Sequence, residues 1–91
     1  MYKELKIGKN THIVTDDDYI IFDGSKYICE TLKELEYNKK GNPYYNILKL
    51  TKNQFTRLYN KNIITEMIII PPKLFNYKNN GYKIYKFNIG D

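Results

Sequence analysis

The fold is decided by residues 50–63, which read Leu-Thr-Lys-Asn-Gln-Phe-Thr-Arg-Leu-Tyr-Asn-Lys-Asn-Ile. Thr51 and Gln54 have the spacing of a capping box, in which each side chain hydrogen-bonds the other residue's backbone N–H. Apolar residues recur at helical spacing and form one stripe, made of Phe55, Leu58, Tyr59 and Ile63. The segment therefore predicts a helix at about residues 52–61 that packs this stripe against the rest of the protein.

The residues before this helix alternate short apolar runs with turn signals, which is typical of β-hairpins. Four strands are predicted here, at residues 2–7, 11–15, 19–22 and 25–29. Asp23-Gly24 separates the last two and predicts a two-residue type I′ turn, because both central positions of that turn need φ > 0. This part of the chain therefore predicts an antiparallel meander.

Residues 30–37 are compatible with two structures. Thr31 and Glu34 have capping-box spacing, which would open a two-turn helix with Leu32 and Leu35 facing inward. The alternative is a continued strand, with residues 38–43 as the loop of a long hairpin into residues 44–50. The pattern favours the strand, because so short a helix needs tertiary contacts to be stable.

The residues after the helix predict further strands. Residues 63–70 read as a strand buried on both faces and ended by Pro71-Pro72. Residues 73–77 and 82–89 flank Asn80-Gly81, a second hairpin signal. The predicted fold class is α+β: one domain, residues 1–91, with a small antiparallel twisted sheet of β-hairpins and one main helix on a face. One helix covers only one face of the apolar strand, so the meander or a second copy in a homo-oligomer would cover the other.

Charge is distributed unevenly along the chain. Residues 1–37 carry five lysines and eight acids, a net charge of −3, whereas residues 38–91 carry nine lysines and Arg57 against two acids, a net charge of +8. Lys, Asn, Ile and Tyr make up 48 of the 91 residues, and Ala is absent. This composition indicates an AT-rich genome, which accounts for the amount of lysine but not for its position. A basic half favours an anionic partner.

Known catalytic and metal-binding motifs are missing from the sequence. It contains no Walker A loop, no dinucleotide-binding glycine pattern and no zinc-protease motif. One histidine and one cysteine are too few for a tetrahedral zinc site. We therefore expect no enzymatic activity, no catalytic residue and no cofactor. His12 is expected to be structural or exposed, and Cys29 is expected to be a small core residue.

The location of the protein is inferred from three features of the sequence. The longest apolar run, Met67–Ile70, is too short to span a membrane, and the N-terminus has no apolar secretory region. A single cysteine fits a reducing compartment. We therefore expect a cytoplasmic protein without a membrane partner.

Asp16, Asp17 and Asp18 form a carboxylate cluster in a predicted turn. The calcium-loop pattern fails there, because Ile20 occupies the position of its third ligand. The turn is expected to be a solvated tip, with a weaker alternative in which it imitates phosphates toward a basic partner.

The C-terminal residues interleave cations and aromatic rings. Lysines can neutralise phosphates and tyrosines can stack on bases, so the predicted anion-binding residues are Lys78, Lys83, Lys86, Tyr82 and Tyr85. The alternative is that Tyr85, Phe87 and Ile89 are core and that the lysines are only solvated. Arg57 and Lys61 lie four residues apart on the predicted helix and form a second candidate strip.

These observations predict a small non-enzymatic binding protein. Its partner would be nucleic acid or a nucleoprotein complex, bound through the basic C-terminal half. Size and composition are typical of phage or mobile-element inhibitors that occlude defence-type, nucleic-acid-handling machinery. The alternatives are an oligomeric sponge for small nucleotides and a self-associating structural subunit.

Overall fold

A computed structural model describes residues 2–37 and 43–90, without the side chains of residues 2, 10, 30–37 and 43–48. The elements follow in chain order: β1 (Tyr2–Ile7), β2 (Asn10–Thr15), β3 (Tyr19–Phe22), β4 (Tyr27–Tyr37), β5 (Pro43–Leu50), α1 (Lys52–Asn60), β6 (Ile64–Glu66), a 3-10 turn (Pro72–Leu74), α2 (Phe75–Asn79) and β7 (Lys83–Phe87). The predicted α+β class and the antiparallel pairing are confirmed.

The strands form two sheets where the sequence predicted one. β1 and β2 make a separate hairpin, and the five-stranded sheet has the order β5-β4-β3-β7-β6. Residues 30–37 continue β4 as a strand that pairs with β5, as favoured above. The loop of that long hairpin, residues 38–42, lies outside the described part of the chain.

The main core cluster lies on one face of the five-stranded sheet, and Ile84 of β7 is buried on the other. Residues that are directly opposite in neighbouring strands share a face, and Tyr85, Ile20 and Cys29 form such a row. Helix α1 and the β1–β2 hairpin contribute the rest of the cluster, which includes Phe55, Leu58, Leu5, Ile7 and Val14. The hydrophobic core of one chain therefore includes residues from both sheets and from helix α1.

Helix α1 begins and ends as its sequence dictates. Thr51 Oγ1 accepts a hydrogen bond from the Gln54 N–H at 3.1 Å, and Gln54 Oε1 accepts one from the Thr51 N–H at 3.0 Å. At the other end Asn62 has a φ of 59°, and the Ile63 N–H bonds the Leu58 carbonyl at 3.0 Å. This is a Schellman motif, with Asn in the left-handed position that Gly usually takes. The predicted helix and its capping box are confirmed.

The β3–β4 turn differs from its prediction. The closing pair is Phe22 with Tyr27, so the loop has four residues, Asp23–Lys26, and only Gly24 among them has a positive φ, 96°. Asp23 Oδ1 accepts hydrogen bonds from the N–H groups of Lys26 and Ser25, each at 2.9 Å. These hydrogen bonds hold the pKa of Asp23 below its usual value, and the bond from the Lys26 N–H has the largest effect. The aspartate therefore favours an Asx-type loop over the type I′ turn.

The prediction of a strand at residues 63–70 that is buried on both faces holds only for the strand itself at Ile64–Glu66: Thr65 and Glu66 are exposed, and the strand ends at Glu66. Pairing with β7 ends where the Met67 N–H bonds the Ile84 carbonyl at 2.9 Å, and Ile68 and Ile69 are 91% and 86% exposed. Pro71 and Pro72 have no N–H to continue the ladder. The chain turns away instead and enters the 3-10 turn, where Leu74 is buried.

The predicted second hairpin is also wrong. Residues 75–79 form α2, and Gly81, with a φ of 83°, ends this helix. The Tyr82 N–H bonds the Tyr77 carbonyl at 2.9 Å and the Gly81 N–H bonds the Lys78 carbonyl at 3.0 Å, which is a second Schellman motif. The Asn80-Gly81 pair correctly indicated a positive φ at Gly81. A positive φ is required at the end of a helix as well as in a hairpin turn, so the pair does not distinguish the two structures. Within the described residues, both helices are too short to cross a membrane.

Candidate nucleic-acid interface

The junction of α2 and β7 brings two tyrosine rings into contact, and each tyrosine is followed in the chain by an exposed lysine. We call Tyr77, Lys78, Tyr82 and Lys83 the basic corner. The rings of Tyr77 and Tyr82 lie 5.6 Å apart with planes inclined by 36°. Tyr77 is 40% exposed, Tyr82 is half-buried, and both lysines are exposed. The corner therefore offers aromatic surface and positive charge to one ligand.

The Schellman motif at the end of α2 fixes the geometry of this corner. Tyr77 and Tyr82 occupy the two positions whose side chains commonly make an apolar contact across such a helix end. Their pairing therefore has a structural reason of its own. It also means that both rings are held in place before any ligand arrives, which lowers the entropic cost of binding.

Tyr85 does not belong to this surface. Its side chain is 7% exposed and its ring meets Phe55 edge-on at 4.7 Å. Burial, together with a hydrogen bond to the Glu66 carboxylate, raises the pKa of Tyr85 to about 12. The prediction of Tyr85 as a stacking surface is wrong, because this face of β7 packs under α1. The alternative placement in the core is confirmed for Tyr85 and Phe87.

Lys86 lies on the opposite face of the sheet from Lys83, because the two are three residues apart on one strand. Its cross-strand partner is Tyr19, and Lys73 Nζ stands 5.0 Å from the centre of the Tyr19 ring. Lys86 also lines an open pocket of about 250 Å³, with Asp16 and Met67 in its wall. A single strand of nucleic acid on one face would therefore reach either Lys83 or Lys86.

Arg57 and Lys61 are both exposed at the end of α1. Cations at this position interact favourably with the negative end of the helix dipole. This interaction alone gives Arg57 and Lys61 a structural role, without a ligand. Because α1 packs on the face that carries Tyr85 and Lys83, the strip belongs to the same side of the sheet as Lys83.

The acidic turn is only partly a solvated tip. Asp16 and Asp17 are exposed, but Asp18 is buried and accepts a hydrogen bond from the Thr15 N–H at 2.7 Å. Asp18 thus closes the turn, and the prediction that it belongs to a solvated tip is wrong. Asp17 Oδ1 lies 4.0 Å from Lys73 Nζ. The acidic segment therefore adjoins lysines of the basic half, so the split of charge along the sequence is not a complete split in space.

His12 and Cys29 are both buried. His12 lies opposite Leu5 in the β1–β2 hairpin, and Cys29 belongs to the core cluster. Both positions agree with structural roles. Among the described residues, His, Cys, Asp and Glu side chains do not gather in a group of three or more that could hold a metal ion.

Two features escaped the sequence analysis. Four rings form a continuous stack, Phe22–Tyr27–Phe55–Tyr59, with successive centroid distances of 4.4, 3.9 and 6.0 Å. Phe22 and Tyr27 flank the Asp23–Lys26 loop, so their contact follows from the register of a four-residue hairpin loop. The second feature is the exposed apolar loop at Ile68 and Ile69. The two prolines after it are the sequence feature that could have predicted it, because they end a strand.

Comparison with known family models, curated proteins and solved structures finds no match to this chain.

Proposed function

We propose that this chain is a non-enzymatic binding protein that contacts the nucleic acid of a nucleic-acid-handling complex through its basic C-terminal half and thereby inhibits the complex by occlusion. Support comes from the basic corner, where two partly exposed tyrosine rings are in contact and each tyrosine is followed in the chain by an exposed lysine, Lys78 or Lys83. Occlusion requires shape and charge but no bond-making, which agrees with the absence of catalytic motifs from the sequence. The setting we propose is a phage or mobile-element inhibitor acting in the cytoplasm on a defence-type complex.

The chemistry of the corner suits a phosphate-bearing ligand. Residues 67–90 contain four lysines and no acid. Each lysine can neutralise a phosphate and release its counterion, and each tyrosine has a π-face on which any base can stack. Such recognition tolerates sequence variation, which suits a protein that blocks a groove.

A salt titration with a labelled single-stranded oligonucleotide tests the proposal. The variant Lys78→Gln with Lys83→Gln loses two phosphate contacts, so the slope of log affinity against log salt should flatten by about 1.4. The matched control, Lys6→Gln with Lys9→Gln, removes the same charge from exposed positions at the β1–β2 hairpin. Equal effects of the two variants would show non-specific attraction to net charge, and no binding by the wild type at low salt would exclude direct contact with nucleic acid.

A second candidate function rests on the open pocket beside β7. Its wall includes Tyr19 and Lys86, which are cross-strand neighbours on one face of the sheet. A ring stacked there beside a lysine would fit the alternative of a small-nucleotide sponge, although Asp16 in the same wall opposes a phosphate. Absorbance at 260 nm after heat release from purified protein separates this candidate from the first, which predicts no tightly held small nucleotide.

A further inference from the structure

Residues 67–70 form an apolar loop, which we call the isoleucine loop. Its two central residues, Ile68 and Ile69, are 91% and 86% exposed, whereas Met67 and Ile70 are half-buried. Among the large hydrophobic side chains of the described residues, these two are the most exposed. Two neighbouring isoleucines in water mark an association surface better than a scattered apolar residue does.

The structure holds this loop in place at both ends. The Met67 N–H bonds the Ile84 carbonyl at 2.9 Å, which ties the start of the loop to β7. Pro71 and Pro72 restrict the backbone at its end, because proline fixes its own φ and limits the residue before it. The buried Leu74 then anchors the following turn. Ile68 and Ile69 are therefore displayed by a fixed support.

We propose that the isoleucine loop is the contact surface for a second copy of this chain, related by a two-fold axis. An apolar patch is complementary to itself, so two copies can bury both pairs of isoleucines against each other. The proposal is independent of nucleic-acid binding, since it uses other residues than the basic corner.

Charges near the loop favour a second copy over a lipid surface. Lys73 follows Ile69 by four residues, and its Nζ lies 4.0 Å from Asp17 Oδ1 with both side chains exposed. A border that carries both signs can exchange ion pairs across a two-fold axis. Around the loop, Asp16 and Asp17 offset Lys73 and Lys86, so an anionic bilayer gains no net attraction there, and a nucleic acid would leave the isoleucines uncovered.

The sheet supplies the additional area that a dimer needs. A stable interface buries roughly 800 Å² on each partner, which exceeds what one four-residue loop can provide. The loop follows β6, the edge strand of the five-stranded sheet, where Thr65 and Glu66 are exposed. A two-fold axis along the direction of β6 would place both loops at the same end and the two β6 edges side by side, so that the contact extends along them.

Sedimentation equilibrium over a range of protein concentrations tests the proposal. We expect a monomer–dimer equilibrium for the wild type, weakened about tenfold or more by Ile68→Ser with Ile69→Ser. Because both side chains are exposed, the variant should keep the wild-type circular dichroism spectrum and melting curve. Phe75→Ser, at a half-exposed position on α2, is the matched control and should leave the equilibrium unchanged. The corner variant with Lys78→Gln and Lys83→Gln should also dimerise normally, so failure of either proposal is distinguishable from failure of the other.

Cysteine cross-linking locates the contact. Cys29 is the chain's only cysteine and is buried, so Ile68→Cys adds one accessible thiol. We expect this variant to form a disulfide-linked dimer faster than Thr11→Cys, an exposed position on β2. A wild type that stays monomeric at every concentration, or a dimer that survives the double serine change, would overturn the proposal. A monomer that binds phosphatidylserine vesicles through the loop would overturn it in favour of a lipid surface.

Discussion

Tyr82 and Tyr85 lie three residues apart, and the fold gives them opposite surroundings. Tyr85 is enclosed by α1, with its ring against Phe55 and Tyr59 and its hydroxyl on Glu66. Tyr82 is half-buried beside Tyr77, on a helix end flanked by exposed lysines. Both residues look alike in a sequence of alternating lysine and tyrosine. The difference shows that spacing along a strand identifies a face, whereas the element packed on that face decides between core and interface.

The largest expected effect is a loss of stability when Phe55, at the centre of the buried aromatic rings around Tyr85, is replaced. Phe55 stacks on Tyr27 at 3.9 Å and meets Tyr85 edge-on, so Phe55→Ala should lower the free energy of unfolding by about 3–5 kcal/mol. Thr51→Ala, which removes only the cap oxygen of the same helix, should cost about 1 kcal/mol. Urea melts of both variants check the ratio. Similar small losses for the two would mean that the ring stack contributes little to the core.

The hydroxyl of Tyr85 provides a pH-dependent test of the same group. Its pKa is raised to about 12, above the usual value near 10, so the folded state holds this proton more tightly than the unfolded chain does. The corresponding stability is complete below about pH 10 and is lost as the pH rises toward 12. Chemical denaturation at several pH values should show a steeper loss in this window for wild type than for Tyr85→Phe. Parallel curves would indicate that Tyr85 titrates normally.

The role of Tyr82 in the basic corner is tested by measuring oligonucleotide affinity and not protein stability. Tyr82→Ala should weaken oligonucleotide affinity by about 1–3 kcal/mol and leave the salt slope unchanged, because it removes stacking and no charge. Tyr82→Phe keeps a ring and should bind like wild type. Tyr82→Leu keeps an apolar contact for the helix end but offers no aromatic face. If the leucine variant also binds normally, the tyrosine pair serves only the Schellman motif.

Local signals in the sequence were sufficient for several elements and insufficient for others. The bounds of β1 and β3 and the capping box of α1 depend on neighbouring residues, and they agree with the structure. Residues 67–82 were predicted wrongly for a physical reason: Gly81 satisfies a hairpin turn and a helix end equally well, and an isoleucine run looks the same in a strand as in an exposed loop. Of the predicted anion-binding residues, Lys78, Lys83 and Tyr82 belong to the basic corner. Tyr85 and Lys86 are separated from it by packing that only the tertiary structure defines.

The smallest expected effect concerns the acidic turn, where two exposed carboxylates stand next to a buried one. Asp16→Asn with Asp17→Asn removes only a surface charge pair with Lys73, and such pairs contribute about 0–1 kcal/mol, so stability should hardly change. Asp18→Asn weakens the acceptor for the Thr15 N–H and should cost more, about 1–3 kcal/mol. Thermal melts of both variants measure the contrast. Oligonucleotide affinity should rise slightly in the Asp16 and Asp17 variant, because the repulsion of phosphate groups decreases. If the variant instead loses partner binding while its fold stays intact, the exposed carboxylates are a contact for a basic partner.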